Sequence, residues 1–205
     1  MNQSSIALDR RPVIVGIGGT TRAGSTTERA LTLALDAAAL AGADVRLLGG
    51  DFLATLPIFD PRPNGPTPEQ RELTEVIARA DGIIIATPGY HGSISGVVKN
   101  ALDTLELGRT DQDPYMSGKP VGAIVTAGGS QAGGTSLMTL RAVIHALRGW
   151  PTPFGAALNS SAPLFDDAGS CLDEKDSLQL RTVASQVVEF TMMRAAAGRS
   201  QLARS

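Results

Sequence analysis

"GIIIATPGYHGSISGVVKNALD", residues 82–103, decides how this chain folds. Its first five residues, Gly82 to Ala86, form an apolar, isoleucine-rich run bounded by a turn, which reads as a buried strand. "TPGYHGS" then forms a glycine-bounded loop displaying Tyr90 and His91, the latter one of two histidines in the chain. From about Ile94 to Leu105 the apolar residues recur at helical spacing, so the stretch is strand, loop and helix in succession. Whether His91 is an acid–base group or part of a wall that holds a ligand depends on what other strands end beside it.

The same pattern repeats in both directions. Val13–Ile17 reads as a first strand, and 28–40, with Leu31, Leu35 and Ala38 on one face, as a first helix stopped by Gly42. Val45–Leu48 is a short second strand. Residues 49–70, "GGDFLATLPIFDPRPNGPTPEQ", carry prolines at 57, 61, 63, 66 and 68 and read as a wrapped loop without regular structure. Thr67 as N-cap, Pro68 at N1 and Gln70 at N3 start a helix to about Ala80. A strand over 120–126, a helix over 135–147, a weaker strand over 153–158 and a helix over 177–197 complete the chain. Strands alternating with helices predict an α/β fold: a flavodoxin-like three-layer sandwich, with a five-stranded parallel sheet in the order 2-1-3-4-5 and helices on both faces. Residues 12–197 are expected to form a single domain between a flexible N-terminus, 1–11, and a flexible C-terminal tail, 198–205.

Composition narrows the function. The 205 residues carry a net charge of −2 and no Lys/Arg cluster that would track phosphates, which argues against a nucleic-acid partner. A single cysteine, Cys171, cannot form an intrachain disulfide, and with two histidines it leaves no Cys/His set for a structural zinc. A cytoplasmic location is expected, with no metal, no export signal and no membrane span.

In an open parallel sheet ligands bind beyond the carboxyl ends of the strands, near the point where strand order reverses. Strands one, three and four end there in loops rich in glycine and hydroxyl groups. In the first, Thr20, Thr21, Arg22, Ser25, Thr26 and Thr27 lie between a strand and a helix N-terminus, where amides, helix dipole, hydroxyls and a guanidinium favour a phosphate. The loop matches neither the dinucleotide fingerprint nor the P-loop, and the plainer reading is a solvated turn with Ser25 or Thr26 as a helix cap. In the third loop, "TAGGSQAGGTS" at 126–136, the glycines let backbone amides approach a flat ligand.

Four motifs in order, "GTTRAGSTTERAL", "LPIFDP", "TPGYHGSISGVVKNALD" and "AGGSQAGG", resemble the NADPH-dependent FMN reductase family of flavodoxin-like flavoproteins, over about residues 12–158. The family's Gly-Ser-x-Arg-x-Gly-Ser pattern falls on Gly19 to Ser25 with Thr20 in place of Ser, which implies that Thr20, Arg22, Ser25 and Thr27 hold the FMN phosphate, with Thr26 beside them among the cofactor-binding residues. Its Pro-Glu-Tyr-Asn-Gly-Ser falls on Pro88, Gly89, Tyr90, His91, Gly92 and Ser93, with Gly89 replacing Glu and His91 replacing Asn. Gly128, Gly129 and Ser130 are then implied at the pyrimidine edge of the flavin ring.

The resemblance implies an NAD(P)H-dependent FMN reductase with FMN and NADPH as cofactors, and a homodimer or homotetramer. Electrons would pass to free flavin, a quinone, an azo compound or a partner monooxygenase. No residue is required as a proton-transfer catalyst. Tyr90 is open between a flavin contact and a gap-filler, and His91 between a solvent-facing loop residue and direct chemistry. Asn100 and Asp103 are candidates for subunit pairing, and Arg109 and Arg148 for the 2′-phosphate of NADPH or for plain solvation. The competing function is a non-enzymatic, flavodoxin-like FMN electron carrier.

Overall fold

Strand β3 (Gly82–Tyr90) is the centre of the fold. The structure, a computed structural model, describes residues 10–62 and 65–202. On one side β3 pairs in parallel with β1 (Val13–Gly18), which pairs with β2 (Asp44–Leu48). On the other it pairs with β5 (Pro120–Ala127). Both β6 (Trp150–Pro151) and β7 (Ala156–Asn159) pair in parallel with the outer side of β5, at its two ends. The expected order is therefore present, with the fifth strand divided in two. Among the described residues the sheet counts seven strands rather than five, because the fifth is divided and β4 (Ser93–Ile94) adds an antiparallel hairpin to the end of β3.

Among the described residues six α-helices cover the sheet: α1 (Thr26–Leu40), α2 (Gly50–Thr55), α3 (Pro68–Arg79), α4 (Gly96–Thr104), α5 (Ser130–Ala146) and α6 (Glu174–Leu202). Period-two alternation sorts the isoleucines of β3: Ile83 and Ile85 face Leu73, Ile77, Val98 and Leu102 of α3 and α4. Ile84 faces Leu31 and Leu35 of α1 and Val183 and Val187 of α6. All three isoleucines are fully buried, so a one-residue slip of β3 would exchange both cores.

The structure corrects four expectations. The segment read as a wrapped loop begins with α2, because its prolines start only at Pro57 and the preceding residues bury Leu53 against the sheet. Helix α5 starts at Ser130, so five of the eight residues of the glycine-rich "AGGSQAGG" are helical. Helix α6 continues to Leu202, into the stretch expected as a tail; residues 203–205 lie outside those described. Of the expected flexible N-terminus, 1–9 are likewise outside, while Arg10 donates to Asp81 at 2.8 and 3.2 Å.

At the edge of the sheet opposite the three loops, Lys119 is 5% exposed and donates to the Ile77 and Ala78 carbonyls in the last turn of α3, at 2.6 and 2.7 Å. It satisfies acceptors that a helix C-terminus leaves open. Burial of the ammonium pulls its pKa from the ordinary 10.5 down to about 8, while the Asp81 carboxylate opposes the shift. Because the native state then releases its proton before the unfolded chain does, stability rises with pH between about 8 and 10.5, and the gain disappears as pH falls through 8. Urea unfolding is expected to show wild type gaining about 2 kcal/mol more than Lys119→Met between pH 7 and 9.5. Equal pH slopes for the two proteins would refute the assignment.

Candidate functional site

The carboxyl ends of β1, β3 and β5 border one cleft of about 200 Å³, on the edge where strand order reverses. Its walls include Thr20, Arg22, Ser25, Thr26 and Thr27 from the first loop, Pro88, Gly89 and Tyr90 from the second, and Gly128 from the third. Nine of the fourteen residues singled out from sequence thus meet there. His91, Gly92, Ser93, Gly129 and Ser130 are not among its lining residues.

The first loop is organised by its own hydroxyls. Ser25 is the N-cap of α1 and its Oγ accepts from the Glu28 amide at 3.3 Å, the plainer role weighed for it. Thr20 Oγ1 accepts from the Arg22 amide at 3.1 Å, which folds the tip of the loop back on itself. In both cases the hydroxyl accepts; Thr20 Oγ1 also donates to the Arg22 carbonyl at 3.4 Å, whereas Ser25 keeps its proton to donate. The Thr26 hydroxyl has no partner among the described residues and lines the cleft. Thr27 is different: it is 2% exposed and its Oγ1 lies 2.6 Å from Thr126 Oγ1, a buried bond joining α1 to the end of β5. That bond fixes the spacing of the first and third loops.

The second loop is a β-hairpin rather than an open loop. Gly89 pairs with Ile94 and Tyr90 with Ser93, leaving His91 and Gly92 as a two-residue turn with φ of 52° and 78°. Positive φ at both central residues is the type I′ signature, which prefers Asn-Gly. His91 is at the exposed tip because the turn needs a residue there, and its ring does not line the cleft. The hairpin base is closed by the Ser95 amide donating to Thr87 Oγ1 at 2.9 Å, and Ser95 in turn caps α4. Tyr90, 55% exposed, stands on the cleft side.

Gly89 lets this hairpin close on α5: a Cβ there would lie 2.9 Å from Ser136 Oγ and 3.0 Å from Ala127 Cβ. Ser136 Oγ is buried without a hydrogen-bond partner among the described residues. The third loop is short. Its Gly129 precedes α5 with no capping side chain, so the first amides of a 17-residue helix open beside the cleft.

Three lining residues were missed by sequence reasoning. Thr126 and Ala127 stand at the start of the third loop as the sequence pattern draws it but were not singled out, and they form the end of β5; Ser160 follows β7 at the neighbouring edge. Nothing local marks Ser160; strand pairing brings it in. Other candidates lie elsewhere. Asn100 holds the 57–59 loop, accepting from the Phe59 amide at 2.8 Å and donating to the Pro57 carbonyl at 2.9 Å, and Asp103 pairs with Lys99 at 2.6 Å. Arg148 sits over the Tyr115 ring, 5.5 Å from its centroid, beyond the far end of α5 and about 25 Å from the cleft at 1.5 Å per helical residue. Arg109 pairs with Glu106 at 3.6 Å.

The sequence model of a family described as NADPH-dependent FMN reductase matches residues 12–162. An FMN-dependent NADPH-azoreductase of Staphylococcus aureus (strain USA300) is 34% identical over 142 residues, 68% of this chain and 70% of the relative. Among solved structures, the flavoenzyme NAD(P)H:(acceptor) oxidoreductase FerB of Paracoccus denitrificans superposes with a TM-score of 0.71 at 22% identity, covering 90% of this chain and 99% of its own. The apo form of an NADH:FMN oxidoreductase, EMOB, gives 0.65 at 23% identity over 89% of each chain. These two likenesses are of fold.

Proposed function

The chain belongs to the NADPH-dependent FMN reductase family, and from that premise we propose that the cleft at the ends of β1, β3 and β5 is its FMN site. The protein is an oxidoreductase that uses FMN and NAD(P)H. The observation carrying the site is the convergence of three loops on one cleft, one of them a capped helix N-terminus with hydroxyl donors and a guanidinium. That donor set fits a phosphate, and the hairpin and glycine loop beside it fit the edge of a flat ring.

FMN, when bound, supplies the hydride chemistry between the nicotinamide and an acceptor. Thr20, Arg22, Ser25 and Thr26 bind the phosphate, with Thr27 holding α1 against β5 behind them. Pro88, Gly89 and Tyr90 form a wall along the ring, and Gly128, Gly129 and Ser130 present backbone amides at the N-terminus of α5. Those amides favour negative charge beside them without a titrating side chain. The His91–Gly92 turn and Ser93 keep the wall in place.

We assign the electrons to an organic acceptor: an azo compound, supported by the description of the S. aureus relative, or a quinone, free flavin or a partner monooxygenase. A homodimer or homotetramer in the cytoplasm is the proposed setting, supported by the exposed Ile58 (83%) beside α4 and by the unpaired Cys171. The electron-carrier reading is weaker. Trp150, the one tryptophan, pairs with Pro120 at the opposite end of β5 and cannot cover a ring in the cleft.

Steady-state oxidation of NADPH and NADH with FMN, FAD, a quinone and an azo dye tests this reading. Protein that neither retains flavin nor oxidises NADPH when FMN is added would overturn it. His91→Asn is expected to stabilise the hairpin by about 0.5 kcal/mol, since Asn tolerates positive φ better, and to leave NADPH oxidation within about 2-fold. A loss above about 100-fold with flavin still bound would make His91 an acid–base group.

A further inference from the structure

Glu28 lies in the first turn of α1 and does not line the cleft. Its carboxylate is nevertheless the tie of the whole corner. Oε1 accepts from the Gly24 amide at 2.9 Å, and Oε2 accepts from the Gly50 amide at the first residue of α2. Ser25 and Glu28 have the spacing of a capping box, yet the carboxylate passes over the Ser25 amide and takes the one before it.

The second bond has the longer reach. Gly50 packs so closely on the first loop that a Cβ there would lie 2.6 Å from the Thr20 carbonyl oxygen and 2.9 Å from the Arg22 carbonyl carbon. The loop carrying Thr20 and Arg22 is thus held between the first turns of two helices. One side chain, Glu28, is bonded to its Gly24 end and to the helix pressed against its tip.

A carboxylate so near a phosphate site is electrostatically adverse, which makes its presence informative. Repulsion alone predicts that removing the charge would tighten phosphate binding. Each oxygen here is engaged by a backbone amide, a charge-assisted arrangement that offsets the charge and orders the donors. Resting on the FMN reading above, we propose that Glu28 is a positioning residue for the phosphate loop, acting through the Gly24 and Gly50 amides without touching the ligand.

The test compares FMN with riboflavin, which has the ring and lacks the phosphate, by fluorescence titration of wild type, Glu28→Gln and Glu28→Asp. Gln keeps the length but can accept from only one of the two amides without presenting its NH2 to the other. Asp keeps the charge and loses the reach. Both variants are expected to raise the FMN Kd at least about 10-fold while changing the riboflavin Kd less than about 2-fold, the signature of a loop that serves the phosphate.

Unchanged or tighter FMN binding by Glu28→Gln would overturn the proposal in favour of simple charge repulsion. Equal weakening for both flavins, or failure of both variants to unfold cooperatively in urea, would make Glu28 a residue of the fold and overturn it as well. Wild type that binds neither flavin defeats the FMN reading itself and this role with it, an outcome visible before any variant is compared.

Discussion

Gly18→Ala is expected to cost about 4 kcal/mol or more of stability and to abolish flavin binding, the effect of forcing an atom into a closed backbone contact. A Cβ at Gly18 would lie 2.1 Å from the Ala86 carbonyl oxygen and 2.8 Å from the Ala86 carbonyl carbon and amide nitrogen. None of these can yield, since Ala86 is fully buried in β3, paired on both sides. Gly18 also sits at φ 153°, which side-chain-bearing residues rarely adopt, and Gly19 then donates to the same Ala86 oxygen at 3.2 Å. This close crossing carries the chain from the end of β1 over β3 and delivers Thr20 and Arg22 to the cleft. Equilibrium urea unfolding measures it; a variant within about 1 kcal/mol of wild type would show that the crossing is not constrained.

Arg22→Ala is expected to raise the FMN Kd about 50-fold and to leave riboflavin binding unchanged. Arg22 is the one guanidinium lining the cleft, and it has no carboxylate partner among the described residues. Its neighbour Arg29 is occupied, donating to the Gly24 and Asp166 carbonyls at 3.1 and 3.0 Å. The backbone at Arg22 is held by Thr20 and by the packing of Gly50, so the charge is displayed from a fixed point. Arg22→Lys keeps the charge and loses the bidentate fork, and an intermediate Kd is expected. Raising the salt concentration weakens wild type more than Arg22→Ala. A Kd within about 3-fold of wild type in Arg22→Ala would remove Arg22 from the phosphate site.

Much of the fold was legible because its signals are local. Isoleucines in a run mark β3, apolar residues at helical spacing mark α1 and α4, and Thr67-Pro68-x-Gln70 marks the start of α3, whose capping box is present. The departures have specific causes. Positive φ at His91 allowed a hairpin where a loop was expected, since histidine is a poor advertisement for a type I′ turn. Glycines over 128–134 pointed to a longer loop than exists, because amides of Ser130 and beyond are drawn into α5 by packing of Ser136 and Leu140. Helix α2 was hidden by the prolines that follow it.

The cleft divides in the same way. Thr20, Arg22, Ser25 and Tyr90 were legible because hydroxyl, guanidinium and aromatic groups at strand ends announce themselves by type. The use to which each is put was not. Thr27 looked like its neighbours, and only its bond to Thr126, 99 residues away, shows it to be a strut. Glu28 has the type and place of a first-turn acid, and only its bond to the Gly50 amide of α2, 22 residues on, shows its second role. Lys119, unremarked in the sequence, is the buried cap of α3.

By itself, then, the sequence determined most of the strands and helices and which chemical groups stand at the strand ends, because periodicity and side-chain type act over a few residues. Tertiary structure decided which of those groups face the cleft and which hold it together. Those roles depend on contacts between segments far apart in the chain, and such contacts exist only once the sheet has closed.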